Sequence, residues 1–181
     1  IDPDMPITVL SHNPKATRLT HHVGAVYVFN PFSFLSVMRR TKLYLSGGGS
    51  LIQNQTSTRS LYYYLLSIRL ARLTGNKVLM YGCGIGPVNG DGCRRLSARV
   101  IDKNVDAITL REDLSAEELK SMGVTKPSIY VTADPALLLA PGSDGAVDGF
   151  LLGNNIDPAG AYALFVLRDW PGFDGKKDAF V

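Results

Sequence analysis

Short apolar runs alternate with longer amphipathic segments along most of this chain, and this alternation limits the folds open to it. Strands are predicted at residues 7–11, 25–29, 42–46, 78–81, 107–110 and 129–132, with helices at 15–24, 32–40, 60–73, 94–104 and 115–123. Strands and helices that alternate at this spacing are typical of α/β proteins. The sequence therefore predicts a Rossmann-like parallel sheet with helices on both faces.

The stretch LYLSGGGSLIQNQTSTRS, from Leu43 to Ser60, is the first candidate for a ligand site. Gly47, Gly48 and Gly49 follow an apolar strand and lead towards a long helix, with Ser60 as its predicted cap. Open α/β sheets bind ligands at the carboxyl ends of their strands, and backbone amides in a glycine turn can closely approach an anion. A tight turn without a ligand is the alternative, because the motif is neither G-x-G-x-x-G nor a Walker loop.

Hydroxyl, amide and charged side chains cluster where the predicted strands end. Such groups can bind a sugar or a phosphate, although helix caps, loop hydrogen bonds and surface ion pairs would also account for them. An arginine in this position can hold a carboxylate or phosphate through two parallel hydrogen bonds. The candidates beyond the glycine triplet are Ser50, Asn54, Thr56, Arg59, Gly84, Gly86, Arg111, Glu112, Asp134 and Arg168.

Composition excludes several classes of protein. The net charge of +3 is small and the basic residues are spread out, so no nucleic-acid partner is expected. No apolar run reaches the ~20 residues that a membrane-spanning helix needs. Cys83 and Cys93 do not form a disulfide framework, and the three histidines lack partners at metal-binding spacing, so neither metal nor cofactor is expected. A cytoplasmic setting fits best.

The domain pattern changes after residue 140. Residues 1–140 are predicted to form a Rossmann-like domain that lacks its first βα unit, and the Gly-, Asp- and Pro-rich residues 141–160 a linker. An apolar run at 161–167 predicts the first strand of a second Rossmann-like domain that is mostly missing. We therefore expect these 181 residues to be a fragment without turnover of its own.

Three motifs in order resemble the polysaccharide pyruvyltransferase family, in particular bacterial cell-wall pyruvyltransferases of the CsaB type. They read GGGSLIQNQTSTRSLYYYLLSIRLARLTGNKVLMYGCGIGPV, DAITLREDLSAEELKSMGV and VTADPALLL. The resemblance extends from about Ile7 to Leu139 and resumes at the predicted strand that ends in Arg168, Asp169 and Trp170. It implies two Rossmann-like halves, as in two-domain GT-B glycosyltransferases, with the active site in the cleft between them.

The resemblance also implies a reaction. Pyruvate would pass from phosphoenolpyruvate, a co-substrate, to two hydroxyls of one sugar as a cyclic ketal. The acceptor would be a lipid-linked precursor of a cell-wall polysaccharide, which places the cytoplasmic enzyme at the inner face of the membrane. A homo-oligomer is compatible with this reading.

Carried over by residue, the resemblance assigns roles to several candidates. Arg168 would hold the phosphoenolpyruvate anion. Arg111 and Glu112 match an arginine–acid pair at a strand end and are, with Asn54, the catalytic candidates. The segment 47–50, with Arg59, would bind the acceptor or a phosphate, and Thr56, Gly84, Gly86 and Asp134 complete the binding set.

The chain departs from the family pattern at two positions. Asn54 stands where many relatives carry aspartate, and an amide cannot act as a general base. Cys83 stands where glutamine is common, and it is expected to be a packing residue rather than a nucleophile. A nucleotide-sugar glycosyltransferase of the same architecture and a non-catalytic sugar- or anion-binding module are the alternatives. Of Tyr62, Tyr63 and Tyr64, the sequence favours a core position for Tyr64 and a surface position for Tyr63. The alternative role for this run is a platform that binds a sugar or a partner subunit.

Overall fold

The structure is a computed structural model that describes residues 5–161 and residue 163. The chain divides into two compact units, residues 1–138 and 139–181. The strands of the first unit are β1 (Thr8–Ser11), β2 (Gly24–Tyr27), β3 (Leu43–Ile52), β4 (Lys77–Ile85), β5 (Ala107–Leu110) and β6 (Ser128–Val131). Its helices are α1 (Pro14–His21), α2 (Pro31–Met38), α3 (Thr58–Leu73), α4 (Asp91–Asn104) and α5 (Asp113–Met122), and a 3-10 helix spans Pro135–Leu138.

Among the described residues, every pairing between neighbouring strands is parallel. Strands β1 and β2 form a two-stranded sheet, and the other four form a sheet in the order β3-β4-β5-β6. Parallel neighbours that follow one another in the chain need a crossover, and helices α3, α4 and α5 supply it. The predicted Rossmann-like α/β fold, a parallel sheet flanked by helices, is confirmed.

The core of the first unit lies between the four-stranded sheet and the helices that cross over it. Because such crossovers are right-handed and the strand order is sequential, α3, α4 and α5 pack side by side on one face. The side chains that alternate with the core residues along the strands point to the other face and are partly exposed. They include Leu43, Leu45, Tyr81 and Tyr130.

The glycine triplet does not form the predicted turn between a strand and a helix. It lies inside β3, where Gly47 pairs with Tyr81 and Gly49 pairs with Cys83 of β4. Gly48 and Gly49 have φ angles of +79° and +76°, and the register shifts between Gly49 and Ile52. Positive φ values absorb this irregularity and let the strand continue to Ile52. The loop before α3 is therefore residues 53–57.

A second glycine-rich segment, residues 82–87, also belongs mostly to a strand. Strand β4 continues to Ile85, and only residues 86–90 connect it to α4. A side chain at Gly82 would collide with the ring of Pro135, so this position requires glycine. Gly47 and Gly82 thus allow close packing against Tyr81 and Pro135, whereas Gly48 and Gly49 supply positive φ values.

The predicted cap of the long helix, Ser60, is wrong. Helix α3 begins at Thr58, and the Ser57 hydroxyl, rather than that of Ser60, caps it by accepting the Ser60 N–H at 3.3 Å. Helix α5 begins at Asp113 with Glu112 as its N-cap, so Ser115 lies in the first turn of the helix. The Ser115 hydroxyl accepts a hydrogen bond from the backbone of Ile85 in β4, 30 residues away in the chain.

The second unit contains a helix where the sequence predicted a linker. Helix α6 spans Asp144–Gly153. Most of the predicted strand at 161–167, and the candidate Arg168, lie outside the described residues. Within the described part, no helix is long and apolar enough to cross a bilayer.

Candidate active site

Arg111 connects three strand ends at the carboxyl edge of the four-stranded sheet. It follows β5 directly, and its Nη1 donates to Asp134 Oδ2, beyond β6, at 2.8 Å. Its Nη2 donates to the hydroxyl of Ser50, near the end of β3, at 3.2 Å. The side chain is about one-third exposed. The guanidinium is thus fixed in position and still reachable from solvent.

Asp134 is held as a carboxylate. Its carboxyl accepts the backbone N–H of Ala136 at 3.0 Å as well as the bond from Arg111. The Ala136 N–H and then the Arg111 guanidinium lower the pKa of Asp134 below its ordinary value. Asp134 therefore orients Arg111 and partly offsets the positive potential of its guanidinium.

Gly84 of β4 forms the floor on which these side chains meet. A Cβ atom at this position would lie 2.5 Å from Ser50 Oγ, 3.0 Å from Glu112 Oε1 and 3.4 Å from Arg111 Nη2. Any larger residue would displace at least the Ser50 hydroxyl. We call Ser50, Gly84, Arg111, Glu112 and Asp134 the arginine cluster; the structure brings together these five residues, all of them predicted from sequence.

Glu112 is tied to the sheet through Ser115. The Ser115 hydroxyl accepts the backbone N–H of Ile85 at 2.7 Å and donates to Glu112 Oε1 at 3.0 Å. Ser115 is fully buried, whereas Glu112 is exposed. The carboxylate is therefore held by a buried hydroxyl and open to a ligand. Sequence reasoning missed this role of Ser115; its spacing of three residues from Glu112, one helical turn, is the signal that could have found it.

Asn54 lies in a different set of contacts. Its Nδ2 donates to the carbonyl of Asn89 at 2.9 Å, and its Oδ1 accepts the N–H of Asn89 at 2.7 Å. The Asn54 N–H also donates to the carbonyl of Pro87 at 3.3 Å. The side chain thus clamps the β3–α3 loop to the β4–α4 loop, and among the described residues no hydrogen bond links it to the arginine cluster.

The remaining candidates are dispersed. The Thr56 hydroxyl accepts a bond from Gln53 Nε2 at 2.7 Å, within one loop. Arg59 is exposed in the first turn of α3 and makes no ion pair with a described residue. Gly86 has a φ of +86° and faces the Glu118 side chain. The space beside Gly48 and Gly49 is open.

Cys83 is a packing residue. Its side chain is fully buried, and its Sγ donates to the carbonyl of Ser46 at 3.5 Å. Burial raises the pKa of the Cys83 thiol to about 11, although the Arg111 charge opposes this shift. The thiolate needed for nucleophilic attack is therefore scarce at neutral pH. In the part of the chain that the structure describes, no three acidic, histidine or cysteine side chains group as metal ligands.

Comparison with protein families assigns the chain to one family. The family model described as polysaccharide pyruvyl transferase matches residues 1–180. Searches of the curated proteins and of the solved structures give no match. The family match covers nearly the whole chain. The chain therefore belongs to the polysaccharide pyruvyl transferase family and is a transferase.

Proposed function

We propose that this protein transfers pyruvate from phosphoenolpyruvate to two hydroxyls of one sugar in a lipid-linked cell-wall polysaccharide precursor. The family supports pyruvyl transfer to a polysaccharide. Our proposal adds finer assignments to the family match. It specifies a CsaB-type cell-wall enzyme, a phosphoenolpyruvate donor and a membrane-bound acceptor at the cytoplasmic face. A two-domain GT-B-like architecture with Arg168 at the donor site belongs to the same proposal.

The reaction needs both an acid and a base. A proton adds to the methylene carbon of phosphoenolpyruvate, and the first sugar hydroxyl attacks the central carbon as a base removes its proton. The second hydroxyl then attacks the same carbon, and the C–O bond to phosphate breaks. One hydroxyl proton balances the proton taken up by the methyl group, and the other leaves with inorganic phosphate. The products are a cyclic ketal and phosphate.

The observation that carries the proposal is Arg111 held between Ser50 and Asp134 beside the exposed Glu112 carboxylate. A fixed guanidinium suits the phosphate or carboxylate of phosphoenolpyruvate and stabilises charge on the departing phosphate. The Ser50 hydroxyl lies 3.2 Å from Arg111 Nη2 and adds a neutral donor beside it. These groups are preorganised by contacts among themselves, so a ligand would not have to order them.

Glu112 is the described residue best placed to move a proton. It is exposed, while Ser115 fixes one of its oxygens at 3.0 Å. Geometry of this kind, with a carboxylate positioned but accessible, suits a general acid or base. Asn54 does not compete for that role, because an amide cannot accept the proton and both ends of its side chain bond to Asn89.

A turnover assay on the full-length protein tests the proposal. Phosphate release from phosphoenolpyruvate should depend on a sugar acceptor, and the product should carry a pyruvyl ketal by mass spectrometry and NMR. Gly84→Ala should lower phosphate release by up to about 100-fold, because it displaces the groups around Arg111. Gly92→Ala is the matched control, since a Cβ there meets open space in α4.

Calorimetry separates the competing functions. Binding of UDP-sugars without binding of phosphoenolpyruvate would replace the proposal by a nucleotide-sugar glycosyltransferase. Sugar binding without phosphate release would favour a non-catalytic module.

A further inference from the structure

Four aromatic side chains meet where the two-stranded sheet ends. His12 follows β1, and Phe29 lies just beyond Tyr27, the last residue of β2. Phe29 contacts His12, Tyr27 and Tyr63 with ring centroids 5.3, 6.0 and 5.9 Å apart, each pair edge to face. We call His12, Tyr27, Phe29 and Tyr63 the aromatic platform. It lies at the carboxyl ends of parallel strands, where α/β sheets bind ligands.

The aromatic platform is both fixed and exposed. Phe29 is 61% exposed despite its three aromatic neighbours. The Tyr63 hydroxyl donates to the carbonyl of Val28 at 3.3 Å, which anchors the α3 side of the platform to the end of β2. By contrast, Phe32 is 84% exposed and makes no aromatic pair within the described residues. The Phe29 ring is therefore positioned before any ligand arrives.

A positive charge lies beside the aromatic platform. Arg59 precedes Tyr63 by four residues on α3, so both side chains lie on one side of that helix, one turn apart. Arg59 is exposed and forms no ion pair with a described residue. It lies towards the end of α3 that follows β3, the strand that supplies Ser50 to the arginine cluster. The aromatic platform thus lies at the ends of β1 and β2, and the arginine cluster lies at the ends of β3 to β6. Helix α3 and the loop before it run from the arginine cluster to the platform.

The combination fits a sugar ring better than a protein surface. Sugar rings have apolar C–H faces that pack on aromatic rings, and tyrosine and histidine offer polar atoms at the rim. Arg59 can pair with an acidic or phosphorylated neighbour of that sugar. Four rings and one arginine are too few for a stable protein interface, which needs about 800 Å² on each partner. The family already implies a polysaccharide acceptor.

We propose that His12, Phe29 and Tyr63, together with Arg59, form a subsite for a sugar residue of the acceptor polymer. This inference deepens the proposed function and rests on it for the identity of the acceptor. The subsite holds the chain near the arginine cluster and takes no part in the chemical steps. Its loss should weaken acceptor binding while leaving phosphoenolpyruvate binding unchanged.

Direct binding tests the subsite without turnover. Oligosaccharides from the acceptor polymer are titrated into full-length protein that carries ¹³C-labelled phenylalanine, in the absence of phosphoenolpyruvate. The ring signals of Phe29 should shift and those of Phe32 should not. Phe29→Leu, which keeps apolar volume but removes the ring, should weaken the oligosaccharide Kd about 10-fold, as should Arg59→Gln. Phe32→Leu is the matched control.

Kinetics separate this inference from the proposed function. Phe29→Leu should raise the KM for the acceptor about 10-fold with kcat and the phosphoenolpyruvate KM unchanged. Normal turnover with an unchanged acceptor KM in Phe29→Leu would overturn the subsite and leave the proposed function standing. Phe29-dependent oligosaccharide binding by a protein that never releases phosphate would support the subsite and remove the proposed function. Unshifted Phe29 signals at saturating oligosaccharide would overturn the subsite whatever the variants do.

Discussion

The role of Asn54 inferred from the sequence differs from the role that the structure shows. From the sequence alone, the resemblance to the family suggested an asparagine in place of an aspartate that could act as a general base. In the structure both ends of its amide bond to the backbone of Asn89, with one donor and one acceptor. An amide offers a donor and an acceptor on two separate atoms, whereas a carboxylate offers only acceptors. The asparagine is thus suited to joining two loops at the sheet edge.

Replacement of Asn54 by aspartate should therefore weaken the protein without speeding the reaction. The carboxylate keeps the bond from the Asn89 N–H but loses the donor and faces the Asn89 carbonyl. We expect a loss of about 1 kcal/mol in unfolding free energy, measured with urea. Gln55→Glu, which adds the same charge at the neighbouring exposed position, should change stability little. A higher rate of phosphate release in Asn54→Asp would show instead that the amide limits catalysis.

At the scale of the elements, a partly buried ion pair joins helices α4 and α5. Its acidic member also holds the loop before α4. Arg94 Nη1 donates to Glu118 Oε1 at 2.7 Å, and Glu118 also accepts the Val88 N–H at 3.2 Å. Burial alone would raise the pKa of Glu118, but the bonds from Val88, Arg94 and Ser121 together bring it below the ordinary value of 4.5.

This lowered pKa predicts a pH-dependent contribution to stability. A carboxyl group whose pKa is lower in the folded than in the unfolded state stabilises the fold at pH values above its unfolded-state pKa. This stabilisation is lost as the pH falls through the folded-state pKa. Glu118→Gln should therefore lower the unfolding free energy by about 1 to 2 kcal/mol at pH 7. The difference from the unsubstituted protein should shrink at pH 3, as measured by urea unfolding at both values.

Glu117→Gln provides the control for this prediction, because Glu117 is exposed and makes no ion pair with a described residue. A difference for Glu118→Gln that stayed constant from pH 7 to pH 3 would contradict the electrostatic explanation.

At the scale of the whole molecule, the described hydrophobic core belongs to the first unit. Its buried members run from Phe34 to Val124, and the partly buried residues packed against them extend it only from Leu10 to Ile129. Helix α6 contributes no residue to this cluster. The first unit therefore contains the apolar contacts on which the folding of its four-stranded sheet depends.

A chain that ends after Leu138 should consequently keep the fold of the first unit. We expect cooperative unfolding in urea with a midpoint close to that of the longer chain, followed by circular dichroism. Non-cooperative unfolding, or loss of the helical signal, would show that residues after 138 are needed to stabilise the sheet.

The sequence determined the class of fold and most of the arginine cluster. Local periodicity encodes strands and helices, and β5 at Ala107–Leu110 was predicted with its observed bounds. Parallel strands place their carboxyl ends at one edge, so Ser50, Arg111 and Asp134 could be expected near one another before any coordinates. The motifs that resemble pyruvyltransferases pointed to the family that the chain matches.

Only the tertiary structure decided how the glycines and hydroxyls are used. Glycine permits both a turn and a bulged strand, and the pairing of Gly49 with Cys83 selected the strand. Ser115 and Asn54 bond to residues 30 and 35 positions away in the chain, at Ile85 and Asn89, which no local pattern reports. The aromatic platform likewise joins β1, β2 and α3. Side-chain chemistry is local in the sequence, whereas the partners that give it a role are set by long-range packing.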